Sequence, residues 1–171
     1  MNRRKFLLAS AAVTTASVAG ISLAGSRFVA DLAALQNELK QMSGKALHSS
    51  GSWNVSQIFQ HLAQSVRGSY QGYPQQRSWW FQHSIGPLAL QGFKAAGAMR
   101  HPLDEAIPGM PQLDAALDPQ VALAELLQAL DEFAAATTLA PHFAYGMLSH
   151  ADFQAAHQLH IRQHLSQISL A

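Results

Sequence analysis

The chain contains no cysteine. That excludes disulfides, thiolate metal ligands, a cysteine nucleophile and a lipid anchor on cysteine, and it suits an oxidising compartment. Charge is also scarce. Charged residues make up 12% of the 171, against 49% hydrophobic. The formal charge is +1, but Arg3, Arg4 and Lys5 supply three of the 11 basic residues. Taking those three away leaves 8 basic residues against 10 acidic ones, a formal −2. So neutral a body has no electrostatic footprint for nucleic acid, and no nucleic-acid partner is expected. Apolar runs are too few for a polytopic membrane protein. No segment alternates with the period of two that marks a strand, so no sheet is expected. The length is that of one domain with a real core, and no internal repeat is present.

Residues 1–25 stand apart. A basic start leads into an apolar, small-residue segment from Phe6 to Ala24, with Ser22-Leu23-Ala24 as a small-x-small cleavage candidate. Arg3-Arg4-Lys5-Phe6-Leu7 resembles a twin-arginine export signal. The expectation is therefore a signal segment over 1–25 and a single domain over 26–171. The twin-arginine export machinery would be a partner and the periplasm the destination, with a membrane tether if the leader is not cleaved. That route carries folded proteins, which favours a cofactor acquired before export.

Helices dominate the remainder. Phe28, Leu32, Leu35, Leu39 and Met42 recur at spacings of three and four, which predicts an amphipathic helix over 27–42, ended at Ser43-Gly44. Lys45 to Ser52 reads as a polar loop. Asn54 and Gln57 form a capping pair for a second helix carrying Ile58, His61, Leu62 and Val66, which stops before Pro74. Six of the 7 prolines lie between Pro74 and Pro119. Apolar residues thread this stretch, so it reads as a long, partly helical crossover packed on the domain. Its helix, over 77–96, is expected to break at Gly86-Pro87. Asp118-Pro119 opens a third core helix expected to reach Leu139, and Ser149-x-x-Asp152 caps a fourth. The architecture is all-α: four core helices with the crossover between the second and third.

The fourth helix carries His157, His160 and His164, three of 9 histidines within eight residues. Their spacing puts them on one face, with Phe153 one turn before and Ile168 one turn after. Imidazoles placed where leucine or isoleucine usually sits need partners, because a buried polar group left unpaired costs a few kcal/mol. His160 and His164, four apart, can ligate one ion. The glutamate of the zinc-protease motif is missing, since position 161 is Ile. His61, on the edge of the second helix's apolar stripe, is the best third ligand. Three neutral nitrogens leave a coordination position open. His157 is a candidate catalytic base, a pocket residue or a surface group. His48, His83, His101 and His150 have no supporting context. Trp53, His142 and Tyr145 are candidate substrate-pocket residues.

His61-Leu62, His160-x-x-x-His164 and the following Leu165-Ser166-Gln167-Ile168 resemble the DinB-like superfamily of metal-binding four-helix bundles. Three segments resemble, more closely, an uncharacterised branch of it: a domain-of-unknown-function family with twin-arginine leaders among its members. They are 53–62 (WNVSQIFQHL), 107–111 (IPGMP) and 141–149 (PHFAYGMLS). The resemblance implies His61, His160 and His164 as ligands of a divalent metal, zinc or nickel, and often a homodimer. It does not imply one reaction. Relatives include thiol-dependent S-transferases and isomerases and domains of sulfoxide synthases. Leu165-Ser166 replaces an Arg-Gly step common in relatives, so no role tied to that arginine carries over.

Three functions remain in view, each with an unknown small molecule as partner. One is a metal-dependent transferase of the thiol type, in which the metal lowers the pKa of a substrate thiol and His157 serves as base or orienter. A second is hydrolysis by metal-activated water, for which no acid lies beside the histidine pair. Asp152 precedes His160 by two turns, about 12 Å along the axis. The third is a non-catalytic metal or small-ligand binding module of the cell envelope.

Overall fold

A computed structural model describes residues 28–171; the expected leader lies outside them. Among the described residues no helix is long and apolar enough to cross a membrane. The chain is mostly helical, with little sheet. The helices are α1 (Leu32–Lys40), α2 (Val55–Gln71), α3 (Trp79–His83), α4 (Ile85–Ala96), α5 (Pro119–Ala135) and α6 (His150–Leu165). Two three-residue strands, β1 (Leu47–Ser49) and β2 (Ile168–Leu170), are the strands among the described residues.

The helix starts follow their caps. Asp31 accepts from the Ala34 amide and starts α1, leaving Phe28 to Ala30 outside the helix expected there. Asn54 and Gln57 make a reciprocal capping box that satisfies two otherwise orphaned amides. Asp118 caps α5 with Pro119 in its first turn, and Ser149 accepts from the Asp152 amide to open α6. α2 ends where Gly72 takes φ 95°, a left-handed value that suits glycine. α5 stops at Ala135, four residues short of the expected Leu139, because Ala136 turns to extended backbone.

Ile58, Phe59 and Leu62 of α2, Leu123, Leu126 and Phe133 of α5, Leu35 and Leu39 of α1, and Phe153 and Ile161 of α6 fill one core. Burying each such side chain is worth about 1.5–3 kcal/mol. α2 packs most extensively on α5, α1 rests on α5 and α6, and α4 packs against α6. This shared core fixes α2 and α6 relative to each other, and with them the histidines they carry.

Two expectations need correction. The chain does contain a sheet: β1 and β2 pair antiparallel, Leu47 opposite Leu170, His48 opposite Ser169 and Ser49 opposite Ile168. Ile168 is therefore not on the histidine helix, which ends at Leu165; it packs its half-buried side chain on the core from the strand. The crossover helix breaks at Ser84, not at Gly86-Pro87. Pro87 falls in the first turn of α4, where its missing N–H has no intrahelical partner to lose. Gly86 is needed for a different reason: a Cβ there would stand 2.0 Å from the Ala144 carbonyl oxygen. α4 thus lies hard against the loop 142–146. A Lys94–Asp152 ion pair at 2.7 Å ties the same helix to α6.

Candidate metal centre

α2 and α6 bring His61, His160 and His164 together. One nitrogen from each lies within 4.8 Å of the others. The rings meet at centroid distances of 5.1 Å (His61–His160), 4.8 Å (His61–His164) and 4.8 Å (His160–His164). His61 Nε2 and His160 Nε2 are 3.2 Å apart. Two nitrogens bound tetrahedrally at 2.0–2.1 Å from one ion stand roughly 3.3 Å from each other. The observed pair needs little adjustment.

The surroundings fit an ion as well. His164 is completely buried, yet neither of its ring nitrogens has a hydrogen-bond partner among the described residues. Such a group costs about 1–3 kcal/mol per unpaired atom unless something else satisfies it. Ser65, one turn beyond His61, lies 3.2 Å from His160 Nδ1 and can hold that ring with Nε2 turned to the cluster. Burial, reinforced by His164 and His101, pulls the pKa of His61 down to about 3. Burial and His101 take His164 to about 4, and burial with the neighbouring imidazoles keeps His160 well below the usual range. All three are thus neutral near pH 7, the form that ligates a metal.

His101 is the residue that sequence reasoning missed. Its ring lies 4.9 Å from that of His160 and 5.4 Å from that of His164. Its Nδ1 is 2.6 Å from the Pro102 carbonyl oxygen, so Nδ1 donates there and the ring is held by that bond. Gln163 of α6 donates to the His101 carbonyl at 2.8 Å and pins the crossover there. Nothing around a lone histidine between Arg100 and Pro102 signals this position.

A cavity of about 260 Å³ opens beside the cluster. α2 contributes His61 and Ser65 to its wall, and α6 contributes Ala156, His157 and His160. The crossover supplies Phe81, Ala89, Phe93, Met99, His101 and Ile107, and the loop before α6 supplies His142, Phe143 and Tyr145. Its walls are mostly apolar. Arg77 and Glu105, both half-exposed, pair at 3.7 Å on its lining. Of the candidate pocket residues, His142 and Tyr145 line the cavity. Trp53 is not among the lining residues; it packs on the cluster, 5.0 Å from the His61 ring and stacked within 8° on His164 at 6.3 Å.

His157 lines the cavity with its Nε2 buried and without a hydrogen-bond partner among the described residues, its ring at 89° to Phe133. Burial, aided by His150, lowers its pKa to about 3. That makes it a weak proton acceptor at neutral pH.

Residues 26–170 match a family described as Protein of unknown function (DUF1569). The chain belongs to that family. The match spans every element of the fold and all the histidines of the DUF1569 cluster and cavity. Comparison with curated proteins found no match, and neither did comparison with solved structures.

Proposed function

We propose that this DUF1569 protein is a metal-dependent enzyme of the thiol-transferase kind, built on a DinB-like four-helix bundle. His61, His160 and His164 would hold a divalent ion, zinc or nickel, and leave one side of it facing the cavity. The observation that carries the reading is His164: completely buried, unpaired at both nitrogens among the described residues, and within ligand reach of two other neutral imidazoles. A bound ion would supply Lewis acidity, lowering the pKa of a thiol brought to it. The protein's own residues do the rest. Ser65 orients His160, the apolar walls exclude water, and His157 positions the reacting partner as a neutral hydrogen-bonding group. The scarcity of bases disfavours hydrolysis, because the one acid among the described lining residues, Glu105, is engaged with Arg77.

That same scarcity supports a second reading, a non-catalytic module that binds metal and a small ligand. The leader over 1–25 adds to either reading a periplasmic destination reached through the twin-arginine machinery. Metal content should be measured by mass spectrometry on protein purified without a histidine tag. About one equivalent in the wild type, lost in His164→Ala, supports the centre; less than half an equivalent in the wild type overturns it. Metal-loaded protein should then be screened with low-molecular-weight thiols and electrophiles. Turnover abolished by His61→Ala marks an enzyme, whereas metal binding without turnover leaves the binding module.

A further inference from the structure

His142 sits at the start of a tight loop. Its backbone N–H donates to the Gly146 carbonyl at 2.8 Å, and the Gly146 N–H returns the bond at 3.0 Å. Inside that loop the amides of Ala144 and Tyr145 both donate to His142 Nδ1, at 3.1 and 3.2 Å. A ring nitrogen that accepts N–H donors carries no hydrogen itself. The proton of the neutral imidazole is therefore on Nε2. Adding a second proton would have to displace both amide bonds, and burial of the ring opposes it further.

Among the described residues the hydrogen bonds to the ring are those two, both at Nδ1. The Nδ1 edge is turned onto the loop's own amides, which leaves Nε2–H as the ring's remaining polar group, with the cavity the residue lines and the Tyr73 and Phe153 rings, at 5.1 and 6.0 Å, around it. Stacking on Tyr145 (4.3 Å, 12°) and Phe143 (4.7 Å, 29°) holds the plane of the ring. An asparagine could fold the same turn by accepting from amides two and three residues on. The imidazole adds reach, and a donor beyond the turn.

We propose that His142 Nε2–H is a fixed hydrogen-bond donor for the carbonyl oxygen of a small, uncharged, mostly apolar ligand. The cavity takes an uncharged group there because the donor is neutral and the one Lys or Arg among the described lining residues, Arg77, already faces Glu105. Phe81, Phe93, Met99 and Ile107 receive the apolar body. The inference rests on reading the cavity as the ligand pocket, and it holds with or without the metal.

The test uses two probes of the same shape, acetophenone and α-methylstyrene, which differ by a carbonyl oxygen against a methylene. Binding to metal-free and metal-loaded protein is followed through the amide NMR signals of Ala144 and Tyr145. The affinity ratio of the two probes should fall roughly fivefold from wild type to His142→Asn, the size of one net hydrogen bond. Metal content should be unchanged in that variant. An unchanged ratio overturns the proposal, and so does benzoate binding more tightly than acetophenone to metal-free protein. Nitrogen NMR of the wild-type imidazole gives a readout that needs no variant: Nε2 protonated and Nδ1 bare is the expected state, and the reverse tautomer overturns the assignment. Absence of metal from the wild type would sink the metal centre and leave the probe comparison intact.

Discussion

His61 Nε2 and His160 Nε2 stand 3.2 Å apart although 99 positions separate them in the chain. Two neutral imidazoles with lone pairs at that distance have little reason to meet unless a proton or an ion lies between them. A ligand role gives a graded expectation. His61→Ala, His160→Ala and His164→Ala should each weaken zinc or nickel binding by more than a hundredfold, beyond the roughly 10–100-fold cost of losing an outer partner. His101→Ala should cost less, and His48→Ala, exposed on β1, nothing. Chelator competition checks the order; equal effects of His48→Ala and His164→Ala would refute it.

Metal bound at the cluster should stabilise the fold, because the unfolded chain scatters the three candidate ligands. At a hundredfold excess over Kd the gain is about 2.7 kcal/mol. For a domain of this size that is roughly a 5–10 °C rise in Tm, reversed by a chelator. Calorimetry with and without ion measures it.

The metal-free protein should lose stability in mild acid. Burial, with a contribution from His157, lowers the pKa of His142 to about 3; burial and His150 do the same to His157. In the unfolded chain both return to about 6.5. Between these values the unfolded chain binds more protons, so stability rises with pH. The contribution is complete above about pH 6.5 and drains away as the pH falls toward 3. Urea titrations from pH 8 to 4 should show a falling midpoint, with a shallower slope in His157→Phe.

Two glycines of α4 should respond oppositely to alanine. At Gly86 the new Cβ meets the Ala144 and Phe81 carbonyl oxygens at 2.0 and 3.1 Å, and neither backbone can yield cheaply. A loss of about 1–3 kcal/mol is expected, along with a displaced loop at His142. At Gly92 a Cβ meets nothing within 4 Å. There the substitution should gain about 0.5–1 kcal/mol from helix propensity. Denaturant unfolding of both variants checks the contrast.

The local part of the fold was legible in the sequence. Asn54 with Gln57, Asp118 with Pro119, and Ser149 with Asp152 each announce a helix within a few residues, and the structure places caps at all three. The histidine triad was legible for the same reason, since periodicity puts His160 and His164 on one face and His61 beside an apolar stripe. What was hidden depends on distant partners. A three-residue strand is too short to show alternation, and the pairing of Leu47 with Leu170 exists only once the core has folded. His101 joins the cluster because Gln163 anchors its carbonyl, a contact with no trace near position 101. The break at Ser84 was misplaced because Pro87 looked like a breaker, while its actual position in a first helical turn is one that proline tolerates.

The Trp53 ring runs parallel to that of His164, 6.3 Å away between centroids, and 5.0 Å from that of His61, while the other two tryptophans, Trp79 and Trp80, are 61% and 75% exposed. With those two changed to phenylalanine, all indole emission would come from a ring in van der Waals range of the cluster. An open-shell ion such as nickel would drain that excited state, whereas zinc, with its filled d shell, would leave it bright. The Trp53 indole is thus a lamp beside the candidate ligands, and its brightness would report which element is bound to them.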